Sequence, residues 1–320
     1  MKTTTSSLTT RPVLHSGDRA DELAAIVALM RSDVISPVHM ISTIVDQVGS
    51  AVTVLGMDAA AWQRVSALQP RLIQPMTDAD LLRAREDVLA WLATRTDVRS
   101  VLDESYPMNL RSIYNRPPLL FLTGTWKEVA DERAVAIVGT RKPSAEGVKR
   151  ARKLARELVG AGYTVLSGLA AGIDTAAHEA ALAAGGRTAA VMGTGIRRIY
   201  PAENRRLAEE IVKSGGALLS QFFPDQPPTK WTFPLRNAVM SGLALATVVI
   251  EAAATSGARM QARLALEHGR PVFLPSSLVR EHAWARQYVT DGVYGTRAIE
   301  VATPDEIARR LGGVFDAAGT

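Results

Sequence analysis

From Val135 onward, short apolar runs alternate with amphipathic segments: Val135–Val138, Thr164–Leu166, Thr188–Met192, Ala217–Leu219, Ala246–Ile250 and Val272–Leu274. Each run is largely apolar at successive positions rather than at alternate ones. That pattern predicts strands buried on both faces, as in parallel sheets. The intervening segments place apolar residues three and four apart, the period of a helix lying on a sheet. Strand, helix, strand in repeated order specifies an α/β fold, with an extended Rossmann-like, doubly wound, mostly parallel sheet. Leu119–Thr123 reads as one more strand before the series; Ala298–Val301 and the helix-like Asp305–Leu311 close it.

The pattern differs upstream. Asp21–Val34, Pro37–Gly49 and Asp78–Arg95 show only the helical period, and Asp78 or Asp80 is placed to cap the third segment. We expect a tail over residues 1–20, a small all-helical domain over 21–100, the Rossmann-like domain over 101–312 and a tail over 313–320. The opening MKTTTSSLTTRP reads as a disordered tail and lacks the apolar core of a signal peptide.

Composition narrows the chemistry. The 320 residues are 47% hydrophobic and 22% charged, with no cysteine. Disulfides and thiolate metal sites are therefore excluded, and a reducing cytoplasm is the natural setting. The five histidines lack metal-ligand spacing, so neither metal nor cofactor is expected. No apolar run approaches a membrane span. The net charge is +5, and the cations gather at Arg141-Lys142, Arg197-Arg198, Arg205-Arg206, Lys230 and Arg236, in or near predicted strand-end loops. Cations placed on a ligand-facing rim suit a polyanion.

The first turn, Gly139-Thr140-Arg141-Lys142, sets two cations beside N–H groups that would open a helix, chemistry that attracts phosphate. It is not a dinucleotide fingerprint, because Arg141 and Ser144 stand where G-x-G-x-x-G needs glycine and the later acidic residue is missing. The second turn, Ser167 to Asp174, offers Gly168 and Gly172 for close approach and Asp174 as a helix cap. His178 follows one turn later on the same face; a capping Asp beside a packed or hydrogen-bonded His is the preferred reading over an acid–base dyad. The third turn is Gly193-Thr194-Gly195. In Lys230-Trp231-Thr232-Phe233-Pro234-Leu235-Arg236-Asn237, aromatics interleave with cations just before an apolar helix, Ala238–Leu245. Single strands are bound by stacking bases on aromatics while cations follow the backbone; for Trp231, plugging the core is an equal reading. Thr255-Ser256-Gly257 opens a further helix and is a secondary phosphate candidate, while Glu251 at the preceding strand end is placed to orient neighbouring arginines.

Taken together, GTR, SGLAAGID with AAH, GTGIRRIYP, FPLRN and VVIEAAATSG resemble the DNA-processing protein A family, also called Smf, in order and spacing from Tyr106 to Phe273. The helical N-terminal region is similar in kind to that family's sterile-alpha-like domain. The resemblance implies a non-enzymatic binder of single-stranded DNA that works as a homodimer, protects the strand and passes it to the RecA recombinase, in recombination or natural transformation. It places Arg141, Lys230, Phe233, Arg236 and Asn237 on the DNA, with the turns at Gly168 and Gly195 lining the same pocket. The reading from charge and strand ends adds Gly139, Thr140, Lys142 and Trp231. Some positions depart from the family: Ala171 replaces the arginine of SGLARGID, Arg197 an acidic residue, and Ala238 the arginine after FPxRN. No C-terminal winged helix is expected. These departures leave open a divergent role, such as sensing a nucleotide or foreign DNA in phage defence. The same superfamily includes phosphoribohydrolases with a PGGxGT loop and a Glu three residues after its Thr; Ala258 stands there in this chain, so hydrolysis is the weaker alternative.

Overall fold

The structure, a computed structural model, describes residues 14–32, 38–65 and 77–318. Its contacts divide the chain into two units that meet between Glu104 and Ser105. The first contains α1 (Arg19–Arg31), α2 (His39–Val48), α3 (Ala51–Leu55), α4 (Ala59–Val65), α5 (Asp78–Leu92) and a short strand, β1 (Asp97–Ser100). Helix α1 forms its centre: Leu23 to Leu29 are buried without a break, and α5 packs on it through its apolar stripe of Ala84, Val88 and Trp91.

Several local details differ from the sequence expectation. Thr77, not Asp78 or Asp80, caps α5; Asp80 sits at the third helical position and reaches back to the Thr77 N–H, completing a capping box. Part of the expected N-terminal tail is folded, because Asp18 caps α1 and His15 N–H donates to the Asp21 carboxylate. Residues 1–13 lie outside the described residues.

The second unit runs α6 (Met108–Arg111), β2 (Leu119–Gly124), α7 (Glu128–Asp131), β3 (Ala134–Val138), α8 (Ala145–Gly160), β4 (Thr164–Ser167), α9 (Ile173–Ala183) and β5 (Thr188–Val191). It continues with α10 (Arg205–Lys213), β6 (Ala217–Ser220), α11 (Thr232–Leu243), β7 (Ala246–Val249), α12 (Gly257–Glu267), β8 (Val272–Pro275), α13 (Ser276–Glu281), α14 (Ala283–Thr290), β9 (Ile299–Val301) and α15 (Pro304–Ala318). Residues 313–318, expected as tail, are the end of α15.

The strand order in this unit is β2-β6-β5-β4-β3-β7-β8-β9. From β5 to β9 it is the doubly wound order 3-2-1-4-5-6, with β6 parallel beyond β5 and β2 antiparallel to β6. All five residues of β3 are buried, as are all four of β7. Their side chains meet Leu154 and Leu158 of α8 and Ile173 and Ala177 of α9 in one core. The chain reverses direction across the sheet between β3 and β7, so the crevice at their carboxyl ends is where this topology places a ligand. Helix α11, expected from Ala238, begins at Thr232. Pro234 falls in its first turn, where the missing N–H would have no helical partner. Among the described residues no helix is long and apolar enough to cross a membrane.

Candidate nucleic-acid interface

Backbone bonds tie the strand-end turns together. Thr140 N–H donates to Glu251 O at 2.8 Å, and Ile173 N–H donates to Thr140 O at 3.2 Å, joining the turns after β3, β7 and β4. Leu169 holds a left-handed backbone with φ of +57°, and its carbonyl accepts from buried Asn204 at 2.8 Å. Such strain persists only where the surroundings fix it, commonly at functional sites. Asp174 does not cap α9, whose N-cap is Gly172; its carboxylate reaches back to the N–H groups of Gly168 and Ala170 at 3.1 and 3.3 Å. Burial pushes this carboxyl above its ordinary range, opposed by the charge of Arg236 and by those amides.

Arg236 is only 7% exposed. Its Nη1 donates to Gly168 O at 2.6 Å and Val191 O at 2.7 Å, and Nε donates to Asn237 Oδ1 at 2.9 Å. Asn237 in turn donates to Gly257 O at 3.1 Å. The pair therefore ties α11 to the loop after β4, the end of β5 and the first residue of α12. Gly168 is required here, because a Cβ would lie 2.3 Å from Arg236 Nη1. Nη2 has no acceptor among the described residues, and Arg236 lines both cavities at this edge.

The larger cavity, about 380 Å³, is walled by Gly168, Ala171, Tyr200, Asn204 and Phe233. The smaller, about 220 Å³, reaches Gly139, Thr140, Asn237, Ser256 and Gly257. Arg141 and Phe233 belong to both. The Arg141 guanidinium carbon stands 5.4 Å from the Phe233 ring centroid, and the Tyr200 ring lies 5.9 Å from the same centroid, tilted by 51°. Cation, phenyl and phenol thus form one cluster over the strand ends, chemically suited to a base and its phosphate.

The profile of the family described as DNA recombination-mediator protein A matches residues 97–309, more than half of the 320-residue chain. The chain belongs to that family. It is 40% identical over 184 residues to DNA processing protein DprA of Bacillus subtilis, covering 57% of this chain and 62% of that protein. The chain spans less than two thirds of the length of the curated relatives it matches. Among solved structures, DNA processing protein A from Streptococcus pneumoniae superposes with a TM-score of 0.68 at 26% identity, covering 91% of this chain and 96% of that one. DNA processing protein A from Helicobacter pylori gives a TM-score of 0.59 at 26% identity, covering 68% and 96%.

The remaining positions singled out in the family motifs fall differently. Gly195 turns away from the cavities: a Cβ there would stand 2.1 Å from Phe223 O and 2.4 Å from Pro224 O, so the glycine serves packing on the 223–226 loop. Gly193 lies under the Phe233 ring instead. Lys230 and Trp231 are exposed just before Phe233, and Trp231, at 80% exposure, does not plug the core. Thr255 is exposed beside Ser256, which caps α12. Lys142 faces a separate cavity with Glu251.

Glu251 does not orient arginines. Its carboxylate accepts from the backbone N–H of Ser144 at 3.0 Å and from the Ser144 hydroxyl, at the N-terminus of α8. The helix end expected to attract phosphate therefore already holds an anion. His178 is no partner of Asp174: its Nδ1 meets Thr188 Oγ1 at 2.7 Å, and that hydroxyl donates to Val165 O, so Nδ1 carries the proton. Burial, with Arg236 adding to it, pushes His178 down to about 3. Sequence reasoning passed over Tyr200 and Asn204; the Tyr-Pro pair after the third glycine turn was the available signal. Among the described residues no cluster of His, Asp and Glu could hold a metal.

Proposed function

We propose that this chain binds single-stranded DNA across the carboxyl edge of β3, β4, β5 and β7, with bases against Phe233 and Tyr200 and phosphates at Arg141. The Arg141–Phe233–Tyr200 cluster carries this reading, since it puts the Phe233 ring and a cation with no acidic partner among the described residues at both cavities, and the Tyr200 ring at the larger. The Helicobacter pylori relative, whose structure concerns a single-stranded DNA binding mode, supports it. Exposed Lys230 and Trp231 extend the surface on one side. Ser256 and Gly257 offer a second phosphate contact at α12. Arg236 and Asn237 act mainly by holding the loops, with Nη2 of Arg236 as their contact to the strand.

In this reading the protein is a binder and not an enzyme. As a recombination mediator it acts in the cytoplasm as a homodimer, protecting the strand and delivering it to a RecA-type recombinase. Labelled oligo-dT and its duplex form, titrated at two salt concentrations, test the reading. Salt-sensitive binding confined to the single strand is expected, weakened by Arg141→Ala with Lys230→Ala. Unchanged affinity and salt dependence in that double variant would refute it.

A further inference from the structure

We propose a second ligand site, separate from the strand cradle, in the cleft between α8, α13 and the start of α15. Its occupant is a small organic phosphate, a phosphoryl group joined to an apolar ring. The cleft opens at the carboxyl ends of β7, β8 and β9 and encloses about 490 Å³, a volume typical of small-molecule pockets. Its floor is apolar, built from Leu154, Val248, Ile250 and Ile307. Its rim is basic: Lys149, Arg150 and Lys153 come from α8 and Arg280 from α13, against one lining carboxylate, Glu146.

These cations fall into two pairs. Arg150 donates to Ser277 Oγ at 2.7 Å and to Glu146 at 3.2 Å, while Lys153 bridges Glu157 at 3.3 Å and Asp305 at 3.0 Å. Protein groups thus hold both in place. Lys149 and Arg280 are exposed, and neither has an acidic or carbonyl partner among the described residues. Two like charges left unbalanced at one opening attract an anion, an attraction that salt screens because both side chains are exposed. The apolar floor behind them offers burial to a ring attached to that anion.

The neighbouring cavity explains why the occupant is not more of the same DNA strand. It adjoins this cleft, sharing Glu146, Arg150, Ile250 and Ser277, and beyond these is lined by Glu251 and Glu281 as well as Lys142 and His282. A polyanion running from the cradle to the cleft would cross two further carboxylates, Glu251 and Glu281. A small, separate molecule in the cleft meets Glu146 but neither Glu251 nor Glu281.

The test titrates the full chain with AMP and with orthophosphate, by calorimetry and ligand-observed NMR, with and without saturating oligo-dT. AMP should bind in the presence of oligo-dT and more tightly than orthophosphate. Lys149→Ala with Arg280→Ala should weaken AMP at least tenfold and change oligo-dT affinity less than twofold, while Arg141→Ala leaves AMP binding intact. Both substituted side chains are exposed and without an acidic or carbonyl partner among the described residues, so an unchanged melting temperature is the folding control. Displacement of AMP by oligo-dT together with its loss in Arg141→Ala would place it in the cradle and overturn the proposal. So would absence of AMP binding at millimolar concentration, and orthophosphate binding as tightly as AMP would refute the apolar subsite.

Discussion

Replacing Phe233 with alanine separates stacking from charge in the proposed cradle. The ring lies over Gly193, where a Cβ would stand 2.7 Å from Cδ1, and it carries the Arg141 guanidinium 5.4 Å from its centroid. One base stacked on an aromatic ring contributes roughly 1–3 kcal/mol. Losing it should weaken single-strand affinity about 5- to 150-fold, at roughly 1.4 kcal/mol per tenfold. No charge is removed, so the slope of log affinity against log salt should not change. Arg141→Ala should instead lower that slope by about 0.7, the contribution of one single-strand phosphate contact. Because the guanidinium rests on the ring, an interaction of about 0.5–1 kcal/mol couples the two, and the double variant should lose less than the two single losses combined. Fluorescence anisotropy of labelled oligo-dT at four salt concentrations measures all three quantities. Phe233→Leu, which keeps apolar volume without the aromatic face, should bind almost as poorly as the alanine variant. Binding of folded Phe233→Ala within twofold of the parent would refute stacking on this ring.

Three further outcomes follow from the fold. Gly195→Ala drives a Cβ to 2.1 Å from Phe223 O, backbone against backbone, and should cost more than about 2 kcal/mol in a denaturant melt; an unchanged midpoint would show that the 223–226 loop yields. Asp131 is fully buried and holds Arg187, Lys127 N–H and Thr164 Oγ1. Asp131→Asn should cost about 3–5 kcal/mol by leaving Arg187 poorly paired, and a loss below about 1 kcal/mol would contradict that. His178 is neutral in the fold because burial lowers it to about 3, whereas the unfolded chain binds a proton below about 6.5. Its contribution is therefore fully present above about pH 6.5 and falls as pH drops towards 3, by about 1.4 kcal/mol per unit. His178→Gln should flatten the pH dependence of stability by that amount between pH 6 and 4, and parallel curves for the two proteins would rule out the linkage.

What could be read in the sequence was what local pattern dictates. Strands β3 to β8 stood out because parallel strands buried on both faces are continuous apolar runs. β1, with its charged Asp97 and Arg99, gave no such signal. The apolar run that marks α11 in the sequence begins only at Ala238, whereas its first turn, from Thr232, holds Pro234, which has no hydrogen bond to lose there. Phe233 and Arg141 could be singled out as an aromatic and a cation at strand ends, but their stacking could not. Arg236 shows the limit most clearly. A sequence displays its charge, whereas its partners Gly168 O and Val191 O lie 68 and 45 residues away. Gly195 was legible as a glycine turn but not as one facing the 223–226 loop.

Glu251 carries the same lesson into the direction of binding. It lies 107 residues from Ser144, yet its carboxylate fills the N-terminus of α8, the helix end where a dinucleotide-binding Rossmann domain would receive its pyrophosphate. The other helix N-terminus at this crevice, α12, is capped by its own Ser256, with Gly257 bordering the smaller cavity. A helix end holding a carboxylate repels a second anion, while one capped by a neutral hydroxyl keeps its attraction for phosphate. In the proposed complex, a phosphate entering between β3 and β7 is therefore directed towards α12 and Arg141 and away from α8. This places the backbone on the same side of the crevice as the Phe233 ring, so stacking and phosphate contact can be made by one strand at once.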